Sequence, residues 1–109
     1  MKEANGRMGK LVRDKIPALI RAEGREPDTR TLSDDDYEKA LRDKLVEEAT
    51  ELAEAVESSA VLQEAADVLE VLTALAARHG FTMDDVGRAA EGKARDRGAF
   101  DDRVWLEEP

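Results

Sequence analysis

Apolar residues recur along this chain at three- and four-residue spacings, broken at intervals by glycine, proline and short polar runs. That period is the helical one, so the pattern predicts a series of amphipathic helices. The first follows Lys10-Leu-Val-Arg-Asp-Lys-Ile-Pro17 and continues through Ala18, Leu19, Ile20, Arg21, Ala22 and Glu23. Pro17 suits its first turn, and Gly24 suits its end. Arg25 to Leu32 contains Pro27 and Asp28 and has no helical period, so it reads as a connector. Ser33 then precedes Asp34, Asp35 and Asp36, a capping hydroxyl followed by negative charge where a helix dipole favours it. A long second helix is predicted from there, its stripe formed by Leu41, Leu45, Ala49, Leu52 and Val56 and ending near Glu57. Ser58 and Ser59 interrupt the pattern and form the expected turn.

A third helix, from about residue 60 to 79, carries Val61, Leu62, Ala65, Val68, Leu69, Val71, Leu72, Leu75 and Ala76 around much of its circumference. Such a helix is normally covered on more than one side. Arg78, His79 and Gly80 mark its end. Thr82 with Asp84 and Asp85 opens a fourth helix, which runs to about Arg97 and stops at Gly98. The closing segment holds Phe100, Val104 and Trp105 and is expected to pack down, the aromatics serving as anchors rather than as stacking partners for a base.

These elements predict an all-α fold, a helical bundle built on an antiparallel hairpin of the second and third helices. A hairpin so apolar needs more cover than the other two helices supply, so a homo-oligomer, dimer or tetramer, is expected to complete the bundle. Residues 10–109 are read as one domain and residues 1–9 as a flexible lead. The composition agrees: most of the 41% apolar share is Ala, Leu and Val, with few aromatics.

Charge narrows the functions. With 26 acidic against 17 basic residues, the net charge of -9 opposes general binding to nucleic acids or anionic membranes. The absence of cysteine rules out disulfides, zinc-thiolate sites and thiol nucleophiles. No secretory leader is apparent, and the longest apolar run, from Val68 to Ala77, is interrupted and too short to span a bilayer. A cytoplasmic protein is expected.

The acidic residues are not scattered evenly. The second helix carries Glu47, Glu48 and Glu51, and the third carries Glu64 and Asp67. Each helix thus presents a pair at i and i+3, whose Cβ atoms lie roughly 5–6 Å apart on one side. Counted outward from a turn at Ser58-Ser59, Glu51 should stand level with Glu64, and Glu48 level with Asp67, making a near-square of four carboxylates. On a helical wheel Glu48 borders the Leu41 and Leu52 edge, while Glu64 and Asp67 flank Val71. Either pair alone is more often a solvated helix face. Together, against apolar positions, they would repel one another unless a hard divalent cation joined them. All-oxygen ligation favours Mg²⁺ or Mn²⁺; di-iron bundles add a His three residues after a Glu, and the only His here, His79, is distant.

The spacing Glu47-Glu48-x-x-Glu51, twelve residues, then Glu64-x-x-Asp67 resembles the metal motif of the MazG-like all-alpha nucleoside triphosphate pyrophosphatases. The Lys10 to Pro17 segment and Arg97-Gly-Ala-Phe100 are similar to the branch that resembles phosphoribosyl-ATP pyrophosphohydrolases, and the likeness extends from about Lys10 to Leu106. The resemblance implies that Glu48, Glu51, Glu64 and Asp67 ligate Mg²⁺ and that Glu47 positions or deprotonates the attacking water. It further implies cleavage between the α and β phosphates, giving a nucleoside monophosphate and pyrophosphate. Lys44, one turn before Glu48, is a candidate for phosphate or for pairing with Glu47 and Glu48. Lys93 and Arg97, near the end of the fourth helix, are drawn toward phosphate binding by the resemblance. Arg13, Asp14 and Lys15 are read as a salt bridge between subunits or a helix start.

Two substrate readings stay open: a house-cleaning hydrolase of nucleoside triphosphates, and a phosphoribosyl-ATP pyrophosphohydrolase of histidine biosynthesis. The chain departs from the histidine-pathway pattern, since Asp67 is followed by Val68, Leu69 and Glu70 rather than by tyrosine and histidine. A third reading, from another class, is a non-catalytic helical partner or cation-binding module.

Overall fold

A computed structural model describes residues 9–108. Among them are four helices and no strand: α1 (Ile16–Ala22), α2 (Asp34–Glu54), α3 (Ser58–Arg78) and α4 (Met83–Arg97). The all-α expectation holds. Of the lead expected to be flexible, residues 1–8 lie outside the described residues. The chain divides into two compact units, Met1–Leu75 and Ala76–Pro109. No helix among the described residues is long and apolar enough to cross a membrane.

Local chemistry explains where the helices begin. Ser33 caps α2, its hydroxyl accepting from the Asp36 amide at 3.2 Å, with Asp34, Asp35 and Asp36 in the first turn. α4 starts in a reciprocal capping box: the Asp85 amide donates to Thr82 Oγ1 at 3.1 Å, and the Thr82 amide donates to Asp85 Oδ2 at 2.8 Å. Those bonds, above all the one from the Thr82 backbone, hold the Asp85 carboxyl below its ordinary range.

Helix ends at α1 and α3 share one device. Gly24 (φ 88°) donates to Arg21 O while Arg25 donates to Ile20 O; Gly80 (φ 83°) donates to Ala77 O while Phe81 donates to Ala76 O. Both are Schellman closures, which need the left-handed backbone that glycine adopts without a Cβ clash.

The turn between the long helices differs from expectation. α2 stops at Glu54 and α3 already includes Ser58 and Ser59, so the link is Ala55, Val56 and Glu57. Ala55 takes an extended backbone and Val56 is 88% exposed, ending the stripe earlier than its spacing implied. Within the first unit the pairing is antiparallel: Glu48 lies as many residues before the end of α2 as Glu64 lies after the start of α3, and the two carboxylates meet.

The core is thin. Ala40, Leu41 and Val71 are its buried apolar residues, with Leu45 and Leu52 half-buried. Ala49, a predicted stripe position, is exposed, and the buried residue one place before it is Glu48. On α3 only Val71 is buried, whereas Leu62 is 67% and Leu69 53% exposed. This helix is therefore not covered on several sides within the single chain. Nor does the closing segment pack down: Phe100, Val104 and Trp105 are exposed, so no anchoring role is seen for the aromatics.

Candidate metal centre

The hairpin gathers its acids into two overlapping groups. An oxygen each from Glu48, Glu64 and Asp67 lies within 4.8 Å of the others, and a second trio, Glu47, Glu48 and Glu51, satisfies the same limit. Glu48 belongs to both. The expected square of four is thus two triangles with a common corner, because the turn falls at residues 55–57. From the ends of their helices, Glu48 and Glu64 stand about 9 Å up, Asp67 about 13.5 Å and Glu51 about 4.5 Å. Moving the turn away from Ser58-Ser59 pairs Glu48 with Glu64 and leaves Glu51 nearer the turn.

Glu48 is 7% exposed, the only buried charged residue among those described. Its Oε1 faces Lys44 Nζ at 3.5 Å, while its Oε2 is buried without a hydrogen-bond partner among the described residues. Glu64 Oε2 is in the same condition. Burial, first, and the charge of Glu51, second, raise the Glu48 carboxyl above its ordinary range. Lys44 opposes that shift, Asp67 adds to it, and Glu51 lies close enough for a proton to be shared. A carboxylate oxygen taken out of water without a partner is costly, so a proton or a cation has to compensate it. Two such oxygens in a cluster of hard oxygen donors fit a divalent ion of the Mg²⁺ class.

Cations surround the acids. Lys44, with its side chain 22% exposed, also approaches Glu47 Oε1 at 3.8 Å. Arg13 reaches across from the segment before α1 and donates to Asp67 Oδ1 at 2.8 Å, with a longer contact to Glu70 Oε1 at 3.4 Å. Within the first unit, Lys10, Arg13, Lys15, Lys44, Glu48, Asp67 and Glu70 line a cleft of about 670 Å³ together with Tyr37, Leu41, Val71 and Ala74. Charges of both signs and apolar side chains therefore share one cleft, the composition of a small-ligand site.

Of the residues picked from sequence, Glu47, Glu48, Glu51, Glu64, Asp67 and Lys44 are brought together. Lys93 and Arg97 lie on α4, in the second unit. Arg13 makes an ion pair within its own chain, where sequence suggested a subunit contact or a helix start. No periodic signal could have matched it to Asp67, since their separation is 54 residues.

Similarity to known proteins identifies the family. A 56-residue stretch is 57% identical to an uncharacterized protein of Mycolicibacterium smegmatis, covering 51% of this chain and 57% of that protein. The match therefore spans little more than half the relative's length. No solved structure matches the chain. Residues 13–93, a span that begins at Arg13 and holds every acid of both trios, match the family described as phosphoribosyl-ATP pyrophosphohydrolase. The chain belongs to that family, and through it to the MazG-like all-alpha nucleoside triphosphate pyrophosphatase superfamily.

Proposed function

We propose that the chain is a metal-dependent nucleotide pyrophosphohydrolase, cleaving a nucleoside triphosphate between its α and β phosphates to release the monophosphate and pyrophosphate. A house-cleaning role is the biological form of this reading. The observation that carries it is Glu48: a buried carboxylate with one unpartnered oxygen, common to two acid trios and lining a cleft. Such a group is poorly suited to stability alone, because apolar packing at the same position would cost less. It suits a cation-binding site.

Glu48, Glu51, Glu64 and Asp67 would hold the ion, Mg²⁺ by preference and Mn²⁺ as a substitute. When bound, the ion neutralises phosphate oxygens and lowers the pKa of a coordinated water. Glu47 is exposed beside the trio and serves as the general base that takes the proton of the attacking water. Lys44 balances the acids and offers a cation to a phosphate oxygen, and Lys93 and Arg97 are assigned to phosphate as well. Leu41, Val71 and Ala74 in the cleft lining would exclude water from part of the ligand.

A second substrate, phosphoribosyl-ATP, is raised by the description of the family. A pyrophosphate-release assay over separated nucleotides and phosphoribosyl-ATP, with Mg²⁺ or Mn²⁺, distinguishes the two; turnover of phosphoribosyl-ATP alone would reject the broader reading. Glu47→Gln is expected to lower kcat by about 100-fold or more while leaving metal binding in place. Full activity in that variant would remove Glu47 from the role of base.

A homo-oligomer accompanies the proposal. Exposed Leu62 and Leu69 on α3, Val46 on α2 and Leu19 on α1 leave more apolar surface than so small a core explains. A second copy of the chain is the natural cover.

A further inference from the structure

Arg13 has no part in the reaction as described so far, yet it holds one of the acids assigned to the metal. Its guanidinium lies 2.8 Å from Asp67 Oδ1, and Asp67 is within 4.8 Å of Glu48 and Glu64 at their nearest oxygens. Lys44 Nζ lies 3.5 Å from Glu48 Oε1. In this arrangement the chain's own monovalent cations offset the repulsion of the acid cluster. The two are not equivalent. Lys44 is rooted in the middle of α2 and its side chain is 22% exposed; Arg13 belongs to the non-helical stretch before α1 and its side chain is 56% exposed.

We infer that Arg13 is a displaceable counter-cation: it occupies Asp67 until a divalent ion enters, then turns into the cleft as a phosphate-binding guanidinium. The inference rests on the metal reading above. A divalent ion among Glu48, Glu64 and Asp67 would face the guanidinium across a single carboxylate, where like charges repel at short range even though Arg13 is partly in water. Polyphosphate reverses the balance by bringing negative charge to the same cleft wall. A guanidinium fork matches two phosphate oxygens at once, which a lysine cannot do. Glu70, one turn beyond Asp67 on α3, contacts the other nitrogen of the fork at 3.4 Å. It keeps the side chain at the cleft edge when Asp67 is taken by metal.

The test is calorimetry on the full chain without nucleotide. Mn²⁺ is titrated into the natural protein, Arg13→Met and Arg13→Lys, and inorganic pyrophosphate is then titrated into each with Mn²⁺ saturating. Arg13→Met should bind Mn²⁺ roughly tenfold more tightly, since the competing charge is gone. It should bind pyrophosphate at least about tenfold more weakly. Arg13→Lys keeps the charge and loses the fork, so its Mn²⁺ affinity should stay near that of the natural protein while pyrophosphate binding falls. Equal or weaker Mn²⁺ binding by Arg13→Met overturns the inference, because Arg13 would then be a support for Asp67. Unchanged pyrophosphate affinity in both variants overturns it as well. If neither the natural protein nor any variant binds Mn²⁺, the metal reading itself has failed and this one falls with it. Circular dichroism of each variant verifies the helices, and should Arg13→Met not fold, the split between Mn²⁺ and pyrophosphate affinities in Arg13→Lys decides the matter.

Discussion

Glu48 is a residue whose burial disfavours the metal-free fold and suits the cation site proposed above. Desolvation and the charges of Glu51 and Asp67 all disfavour its ionised form, and Lys44 alone among the named groups relieves it. Replacing it by Gln removes the charge while keeping the shape. Glu48→Gln should therefore stabilise the metal-free chain by about 1 kcal/mol, roughly 4 °C in Tm at this size. The same change should abolish the rise in Tm expected of the natural protein with Mn²⁺, since binding to the folded state alone is what stabilises it. Thermal scans with and without metal check both; a metal-free Tm that falls would show the carboxylate to be well satisfied. The residue types and their i, i+3 spacing were legible in the sequence, but the 4.8 Å closeness of Glu48 to Glu64 and Asp67 was not, because it depends on where the turn falls.

At the scale of elements, capping governs where each helix starts, and the sequence displayed it openly. Ser33→Ala removes the acceptor for the Asp36 amide and should cost about 1 kcal/mol of unfolding free energy in urea titrations. Asp85 makes a pH prediction. Its carboxyl is held below the ordinary range in the fold, so it adds stability above the ordinary pKa and loses that contribution as pH falls through the lowered value. Asp85→Asn should accordingly flatten the acid limb of the α4 stability profile, followed by hydrogen exchange of the α4 amides between about pH 5 and 2. An unchanged profile would mean that the capping box contributes nothing there. The turn after α2 departs from the expectation. Two serines look like a break, yet α3 accommodates both and the chain turns instead at Ala55-Val56-Glu57, where Ala55 adopts an extended backbone.

For the whole molecule, the balance of buried and exposed surface is the main finding. A hairpin whose buried apolar residues are Ala40, Leu41 and Val71 has little core for its length, while Leu62 and Leu69 stay in water. Light scattering on the purified chain is expected to return at least twice the mass of one copy, and Leu62→Glu with Leu69→Glu should shift it toward a single copy with loss of thermal stability. A monomeric natural protein of ordinary stability would reject that expectation.

The helical class, three of the helix starts or stops marked by Ser33, Thr82 and Gly80, and the acids that could meet were determined by the chain's own order, because period, caps and glycine closures act within a few residues. Tertiary structure alone decided that Glu48 would be the buried acid shared by both trios, that Arg13 would reach Asp67, and that α3 would leave Val61, Leu62 and Leu69 exposed. Those outcomes depend on distances between residues far apart in sequence, set by one turn and by packing, and no local rule carries that information.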